Sequence, residues 1–365
     1  MRTVTLLLCL LALGALAVPA DAAQRRVPQG WLGATVDGPM TPEQGGEWDR
    51  MARSGVETVR IAFRWYQLQP QPGVLDLTTS DAAVAAAARR GMSVVPVIEQ
   101  TPAWAATRPG DLAAPPADPA TVQAFAAGLV ARYGPAGTFW SERGDLPRLP
   151  IRAWQVFNEP NHSGFWSERP YAPSYVATLR ATAAGIRGAD PGATIVLAGL
   201  TNRSWLALRQ LYRAGARGQF DVVALHPYTR RALDVLRLVR YARRVMRANG
   251  DGALPVWITE LSWPAARGQE RAGPGIGIEV SARDQAWLLE DAVRLLARAR
   301  TRHNIGKVFW YTWLSSQRGP NPFDWSGLRR QAGGRVVSTP ALRAFRTVAR
   351  LLEGCRKSAD ARRCA

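Results

Sequence analysis

Cysteine and histidine are scarce in this 365-residue chain, with three of each, and the scarcity removes whole classes of chemistry. A disulfide-built scaffold needs more cysteines, and a zinc site has little material to draw on, so no metal is expected. Lysine is nearly missing as well: only Lys307 and Lys357 occur, and the other cationic residues are all arginine. There is no G-x-S-x-G elbow, no H-E-x-x-H helix and no P-loop, and no cofactor is expected. Beyond residue 18 no apolar run approaches the length of a bilayer span. Dense basic runs interleaved with aromatics are absent too, as is any nucleic-acid module signature, so no nucleic-acid partner is expected.

What is present is charge of one sign. Lys and Arg number 47 against 28 Asp and Glu, a formal net charge of +19. Arginine together with abundant alanine is the composition a GC-rich genome produces. The functional alternative is attraction to an anionic partner such as an acidic polysaccharide. The arginines are scattered, densest in pairs such as Arg230-Arg231, Arg243-Arg244 and Arg329-Arg330. With 47% hydrophobic and 21% charged residues the chain has the balance of one that buries a core.

The amino terminus reads as an address. Arg2 supplies a positive start, residues 4–18 an apolar core and Ala20-Asp21-Ala22 a small-residue cleavage site, so residues 1–22 have the layout of a secretory signal peptide. Cleavage would remove Cys9 and leave an exported, extracellular or wall-associated protein with no membrane segment, expected to be a monomer. Cys355 and Cys364 would then be the remaining pair, expected to close the tail at 354–365 with one bridge.

Between them, residues 23–353 alternate short β-branched runs with alanine- and leucine-rich helical stretches. Strands are expected at 30–36, 56–63, 93–99, 151–157, 193–199, 221–226, 254–260 and 306–313. Helices are expected near 42–54, 80–90, 118–133, 172–188, 204–215, 232–248, 281–303 and 340–353. Ser80-Asp81 offers a helix N-cap and Gly91 a helix stop. Eight strand–helix pairs predict an α/β fold, a single-domain (β/α)₈ TIM barrel. The Pro- and Gly-rich stretches 107–119 and 264–277 fall where such barrels carry long βα loops.

Two strand tips stand out. WQVFNEPN (154–161) ends the fourth strand with Asn158-Glu159-Pro160, and WITELSW (257–263) ends the seventh with Glu260. A carboxylate at the tip of an apolar strand is costly unless it is solvated, paired or used. Strands four and seven face each other across a barrel mouth, which suits glycosidic bond cleavage by two carboxyl groups. These stand about 5 Å apart in the retaining geometry and further apart in the inverting one. Ion pairing of each glutamate with separate arginines is the structural alternative.

In register with these features, the chain resembles the clan A retaining glycoside hydrolases, and within them family thirty-nine and family five. Arg60 in TVRIAFRW, His226-Pro227-Tyr228 after strand six and an aromatic at strand eight, Trp310 or Trp313, match the pattern. TPAW at 101–104 and GLRRQAGGRVVSTPALRAF at 327–345 look like recurrent segments of those families. The resemblance implies Glu159 as acid/base, Glu260 as nucleophile and a β-linked carbohydrate substrate, poly- or oligosaccharide. It further implies that Arg60 and Tyr228 hold Glu260, that Asn158 meets a sugar hydroxyl and that His226 orients its neighbours. Of the fourteen tryptophans, Trp104, Trp166, Trp263, Trp313 and Trp325 fall near strand tips and are expected as sugar platforms. Trp48, Trp205 and Trp287 fall in helices and are expected to pack. A non-catalytic carbohydrate-binding barrel, or a plain basic wall-associated protein, is the alternative.

Overall fold

The computed structural model describes residues 25–37, 45–201, 203–269, 272–317 and 319–354. The expected signal segment and the Cys355–Cys364 bridge lie outside the described residues. Nine parallel strands form one sheet: β1 (Leu32–Val36), β2 (Thr58–Arg64), β3 (Ser93–Glu99), β4 (Ala153–Val156), β5 (Thr194–Val196), β6 (Leu200–Thr201), β7 (Val223–His226), β8 (Val256–Leu261) and β9 (Ile305–Trp310). The order β5-β4-β3-β2-β1-β9-β8-β7-β6 places β5 and β6, neighbours in sequence, at opposite ends of the sheet. They are two halves of the fifth barrel strand, and single bridges between Asn158 and Gly199 and between Val196 and Val222 close the ring around them. The fold is therefore the (β/α)₈ barrel.

The interruption in the fifth strand has a local cause. A Cβ on Gly199 would lie 1.9 Å from His226 Nε2, so the backbone there is glycine because a ring occupies the space. Tyr175 compensates for lost ladder bonds, donating to Val156 O at 3.0 Å and accepting from Ala198 N at 2.9 Å. Inside the ring, Val95, Val196, Val222, Ala224, Trp257 and Phe309 form a separate apolar cluster. This is the side-chain filling that makes such a barrel a packed core with its open end above.

Helices cover the outside: α1 (Gly45–Arg53) after β1, α2 (Trp65–Leu68) and α3 (Thr78–Ala88) after β2, α4 (Pro119–Tyr133) and α5 (Thr138–Glu142) after β3, α6 (Tyr171–Ala189) after β4, α7 (Ser204–Arg213) after β6, α8 (Ala232–Ala248) after β7, α9 (Ala282–His303) after β8 and α10 (Pro340–Glu353) near the end. Caps fix their limits. Asp118 accepts from Ala120 N at the start of α4, ahead of Pro119, and Ser281 accepts from Asp284 N at the start of α9. The helix expected to start at Ser80-Asp81 starts instead at Thr78, where Asp76 Oδ1 takes the Thr78 N–H at 3.1 Å. Ser80 is buried and shares a hydrogen bond of 2.6 Å with the Tyr133 hydroxyl.

The eighth strand is shorter than expected, ending at Trp310. Beyond it a small sheet forms from β10 (Leu314–Ser315), β11 (Arg329–Ala332) and β12 (Arg335–Ser338), with the tight turn at Gly333-Gly334, both at positive φ. Arg329 anchors this sheet to α1 through bonds of 3.0 and 2.9 Å to the two oxygens of Glu47. Trp48 is buried and Trp205 half-buried, as helix packing requires, but Trp287 on α9 is 65% exposed.

Candidate active site

Strand alternation carries side chains to the barrel mouth in steps of two. On β2 the inward positions are Arg60, Ala62 and Arg64; on β3 they are Val95, Val97 and Glu99. On β8 the register shifts between Ile258 and Leu261, and this irregularity coincides with Thr259 and Glu260, successive residues, both being buried and both bonded to mouth residues. A cavity of about 520 Å³ opens above these strand ends.

Around it the structure brings together six of the residues singled out in the sequence. Arg60 is nearly buried and donates three ways: Nη1 to Glu260 Oε1 at 2.7 Å, Nη2 to Asn158 Oδ1 at 2.9 Å and Nε to Gln155 Oε1 at 2.8 Å. The Tyr228 hydroxyl donates to Glu260 Oε2 at 2.6 Å. Both Glu260 oxygens therefore accept a hydrogen bond, and the guanidinium beside them matches the charge of a carboxylate. Burial, with Glu260 and Glu159 nearby, pushes the Tyr228 hydroxyl well above its usual range, so it stays a donor.

On the other side His226, fully buried, shares a hydrogen bond of 2.7 Å between its Nδ1 and Glu159 Oε1, while its Nε2 meets Thr259 Oγ1 at 3.0 Å. Glu159, His226 and Glu260 each present a polar atom within 4.8 Å of the others. Such a trio is compact enough to hold a metal ion, but the Arg60 guanidinium already bonded to Glu260 would face the cation. Glu159 (φ 38) and Phe157 (φ 60) flank Asn158 with left-handed backbone, as does Gln100 (φ 63) at the end of β3. Non-glycine residues held this way cost about 1–3 kcal/mol each and gather at functional sites.

The tryptophans do not join them. Trp166, Trp263, Trp310 and Trp313 are fully buried, Trp325 nearly so, and none lines the cavity; nor does the half-buried Trp104. Apart from that of Trp325, their N–H groups are taken internally: Trp104 by Gln69 O at 3.0 Å, Trp310 by Ser326 O at 3.0 Å and Trp313 by Glu47 at 3.1 Å. The expectation of Trp104, Trp166, Trp263, Trp313 and Trp325 as sugar platforms is thus corrected, and Trp310, the other aromatic expected at strand eight, does not line the cavity either. A position at a strand tip does not fix which way an indole turns. The rings that do face the cavity are Phe165, Tyr228, Tyr311, Phe323 and His162.

Sequence reading also missed half of the polar wall. Asp37, just past β1, accepts from Arg64 Nη2 at 3.0 Å and from the Tyr311 hydroxyl at 3.1 Å. Glu99 ends β3 with its Oε1 3.9 Å from Arg64 Nε. Burial, reinforced by Asp37, pushes the Glu99 carboxyl up to about 7. Four strand tips carry carboxylates, not two: Glu99 closes SVVPVIE as Glu260 closes WITE, and the same tip signal would have found it.

No protein-family model matches the chain, and no curated protein does. Solved structures do. A family 39 glycoside hydrolase from the gut symbiont Bacteroides cellulosilyticus WH2 matches with TM-score 0.67 and 19% identity over 90% of this chain and 64% of that one. A monomeric β-xylosidase from Caulobacter crescentus CB15 matches with TM-score 0.62 and 18% identity, covering 89% of this chain and 69% of that one. An exo-β-1,4-mannosidase from Opitutaceae bacterium strain TAV5 matches with TM-score 0.60 and 18% identity over 91% and 62%. The chain thus spans under two thirds of the first of these enzymes, and at these identities what it shares with all three is the barrel fold.

Proposed function

We propose that this chain is a retaining glycoside hydrolase that cleaves O-glycosidic bonds of a β-linked oligo- or polysaccharide. The observation that carries the reading is the approach of Glu159 and Glu260 to within 4.8 Å. That is the separation of a pair that works by double displacement; an inverting pair must leave room for a water molecule between sugar and base.

Each neighbour then has a task. Glu159 gives its proton to the leaving oxygen while Glu260 attacks the anomeric carbon, forming a glycosyl-enzyme ester. Glu159, now ionised, takes a proton from water as that water attacks the same carbon and releases Glu260. His226 aims Glu159. Arg60 and Tyr228 aim Glu260, and ester formation releases part of their charge-assisted bonding. With Asn158 Oδ1 held by Arg60, Asn158 Nδ2 is left to donate to a sugar hydroxyl. The protein is exported by residues 1–22 and works as a monomer. Mass spectrometry of the exported form should find Ala23 at its amino terminus.

Glu260→Gln should lower kcat on an activated aryl β-glycoside by roughly three orders of magnitude or more. Glu159→Ala should spare activated leaving groups, slow poor ones, and be rescued by azide with formation of the β-glycosyl azide. Unchanged turnover in Glu260→Gln, or binding of a glycan without any product, would overturn the reading.

A further inference from the structure

Among the ionisable groups facing the cavity, Glu99 has no role in the displacement described above and no hydrogen bond from any described residue. Its side chain is only 15% exposed, and its one ionic neighbour, Arg64 Nε, stands 3.9 Å away, beyond hydrogen-bonding distance. Burial, reinforced by Asp37 and only partly offset by the charges of Arg64 and Arg60, raises this half-buried carboxyl to about 7. Asp37, on the other side of Arg64, is bonded by both Arg64 and Tyr311.

Two further polar atoms on the same wall share the condition. Thr35 is 2% exposed and its Oγ1 has no hydrogen-bond partner among the described residues; Gln100 Oε1 is likewise buried without one. Both residues line the cavity beside Glu99. Of these groups Glu99 is the one with exposed side-chain surface, and a carboxylate that faces the cavity with no hydrogen bond from a described residue can accept from a hydroxyl group. Phe165, Ile276, Ile278 and Phe323 also line the cavity and offer an apolar surface suited to the C–H face of a sugar ring.

The wall also has a side. Glu99 is paired in register with Arg64 of β2, the strand whose Arg60 holds the nucleophile Glu260. There the displacement holds the sugar that becomes esterified, and the leaving group departs toward Glu159.

We propose that Glu99, with Thr35 and Gln100 beside it, is the specificity-determining acceptor for hydroxyl groups of a neutral glycone. This rests on the reading of Glu260 as nucleophile. A uronic acid would bring a further carboxylate into a cavity that already sets Asp37, Glu99, Glu159 and Glu260 against Arg60 and Arg64. A neutral sugar supplies hydroxyl donors at no such cost.

The test compares aryl β-glycosides of one leaving group: a fully hydroxylated neutral sugar, its monodeoxy analogues and the corresponding uronide. For the hydroxylated sugar, assayed above the value of about 7 so that the carboxyl is ionised, Glu99→Ala should lower kcat/KM by about 10- to 100-fold, the range of one hydrogen bond to an ionised group. For one deoxy analogue it should change little, because the lost contact is already missing. Glu99→Gln, which keeps the shape and an acceptor, should recover part of the loss. Equal losses on every substrate, no loss on any, or a uronide cleaved as fast as the neutral sugar would overturn the proposal. In each of those cases retention of configuration and dependence on Glu260 would still stand. A wild-type protein inactive on the whole panel would overturn both readings together.

Discussion

The two ends of this barrel bury charge in opposite ways. At the lower end, Glu57 accepts from Arg25 Nη2 and from Gly30 N, both at 2.7 Å. Lys307 donates to Gly30 O at 2.6 Å, and Thr58 Oγ1 bonds both Gly30 O and Ser93 Oγ at 2.9 Å. Each charged group there has a partner within the protein. At the upper end Glu260, Glu159 and Asp37 are also bonded, but Glu99 has only the Arg64 charge at 3.9 Å and no hydrogen bond from a described residue. Thr35 and Gln100 hold buried oxygens without a partner among the described residues, and Phe157, Glu159 and Gln100 take left-handed backbone. Polar groups that answer one another stabilise a chain end of a barrel. Polar groups left unanswered beside a cavity lower stability and are kept for a ligand.

The sharpest way to break that division is to remove one glutamate from each end. Glu260→Gln should lose orders of magnitude in kcat while remaining folded, since Gln keeps one side-chain oxygen to accept from Arg60. Glu57→Ala should lose about 1–3 kcal/mol of unfolding free energy, because it leaves the buried Gly30 N–H unanswered, while Arg25, 39% exposed, turns to water. Its folded fraction should keep full specific activity. Urea unfolding and turnover measured on the same preparations separate the two; an inactive but stable Glu57→Ala would end the distinction.

How much of this was legible beforehand follows the range of the signal. The strand and helix order was legible because each element carries its own periodicity, and so were Glu159 and Glu260, because a charge ending an apolar run is a local anomaly. Asp37 and Glu99 gave the same anomaly. Arg64 could have been found by counting two and four residues from Arg60 along β2. The Gly333-Gly334 turn between β11 and β12 was also a local hairpin signal. What could not be read is long-range: that His226 meets Glu159, 67 residues away, or that Trp313 turns inward because Glu47, far earlier in the chain, accepts its N–H. The tryptophans were misjudged for that reason.

Two glycines extend the comparison at a smaller scale. Gly199→Ala would place a methyl carbon 1.9 Å from His226 Nε2 and push the ring away from Glu159. A displacement of that order costs about 100-fold in turnover, and it should be greatest for poor leaving groups, which depend on the aimed proton. Gly33→Ala, in β1, would bring its Cβ 2.4 Å from Thr58 O and 2.7 Å from Phe309. It should lower the melting temperature while leaving kcat per folded molecule unchanged. If Gly199→Ala affects good and poor leaving groups alike, His226 does not act through Glu159.

The last effect is one of pH, and the two ends should show it with opposite sign. Glu99 is raised from 4.5 to about 7, so between those values the folded chain holds a proton that the unfolded chain has lost. Stability must then fall as pH rises through that window, by up to about 3 kcal/mol from this group. Glu99→Gln should remove that slope, matching the parent protein near pH 4 and exceeding it near pH 8. Lys307 is lowered from 10.5 to about 8, chiefly by burial. Between those values the unfolded chain holds the extra proton, and stability rises with pH instead. Lys307→Met should flatten only this alkaline limb. Urea midpoints taken from pH 4 to 10.5 resolve the two limbs. A Glu99→Gln variant equally destabilised at pH 4 and pH 8 would mean that its carboxyl is answered in solution after all, and that the upper wall is built like the lower one.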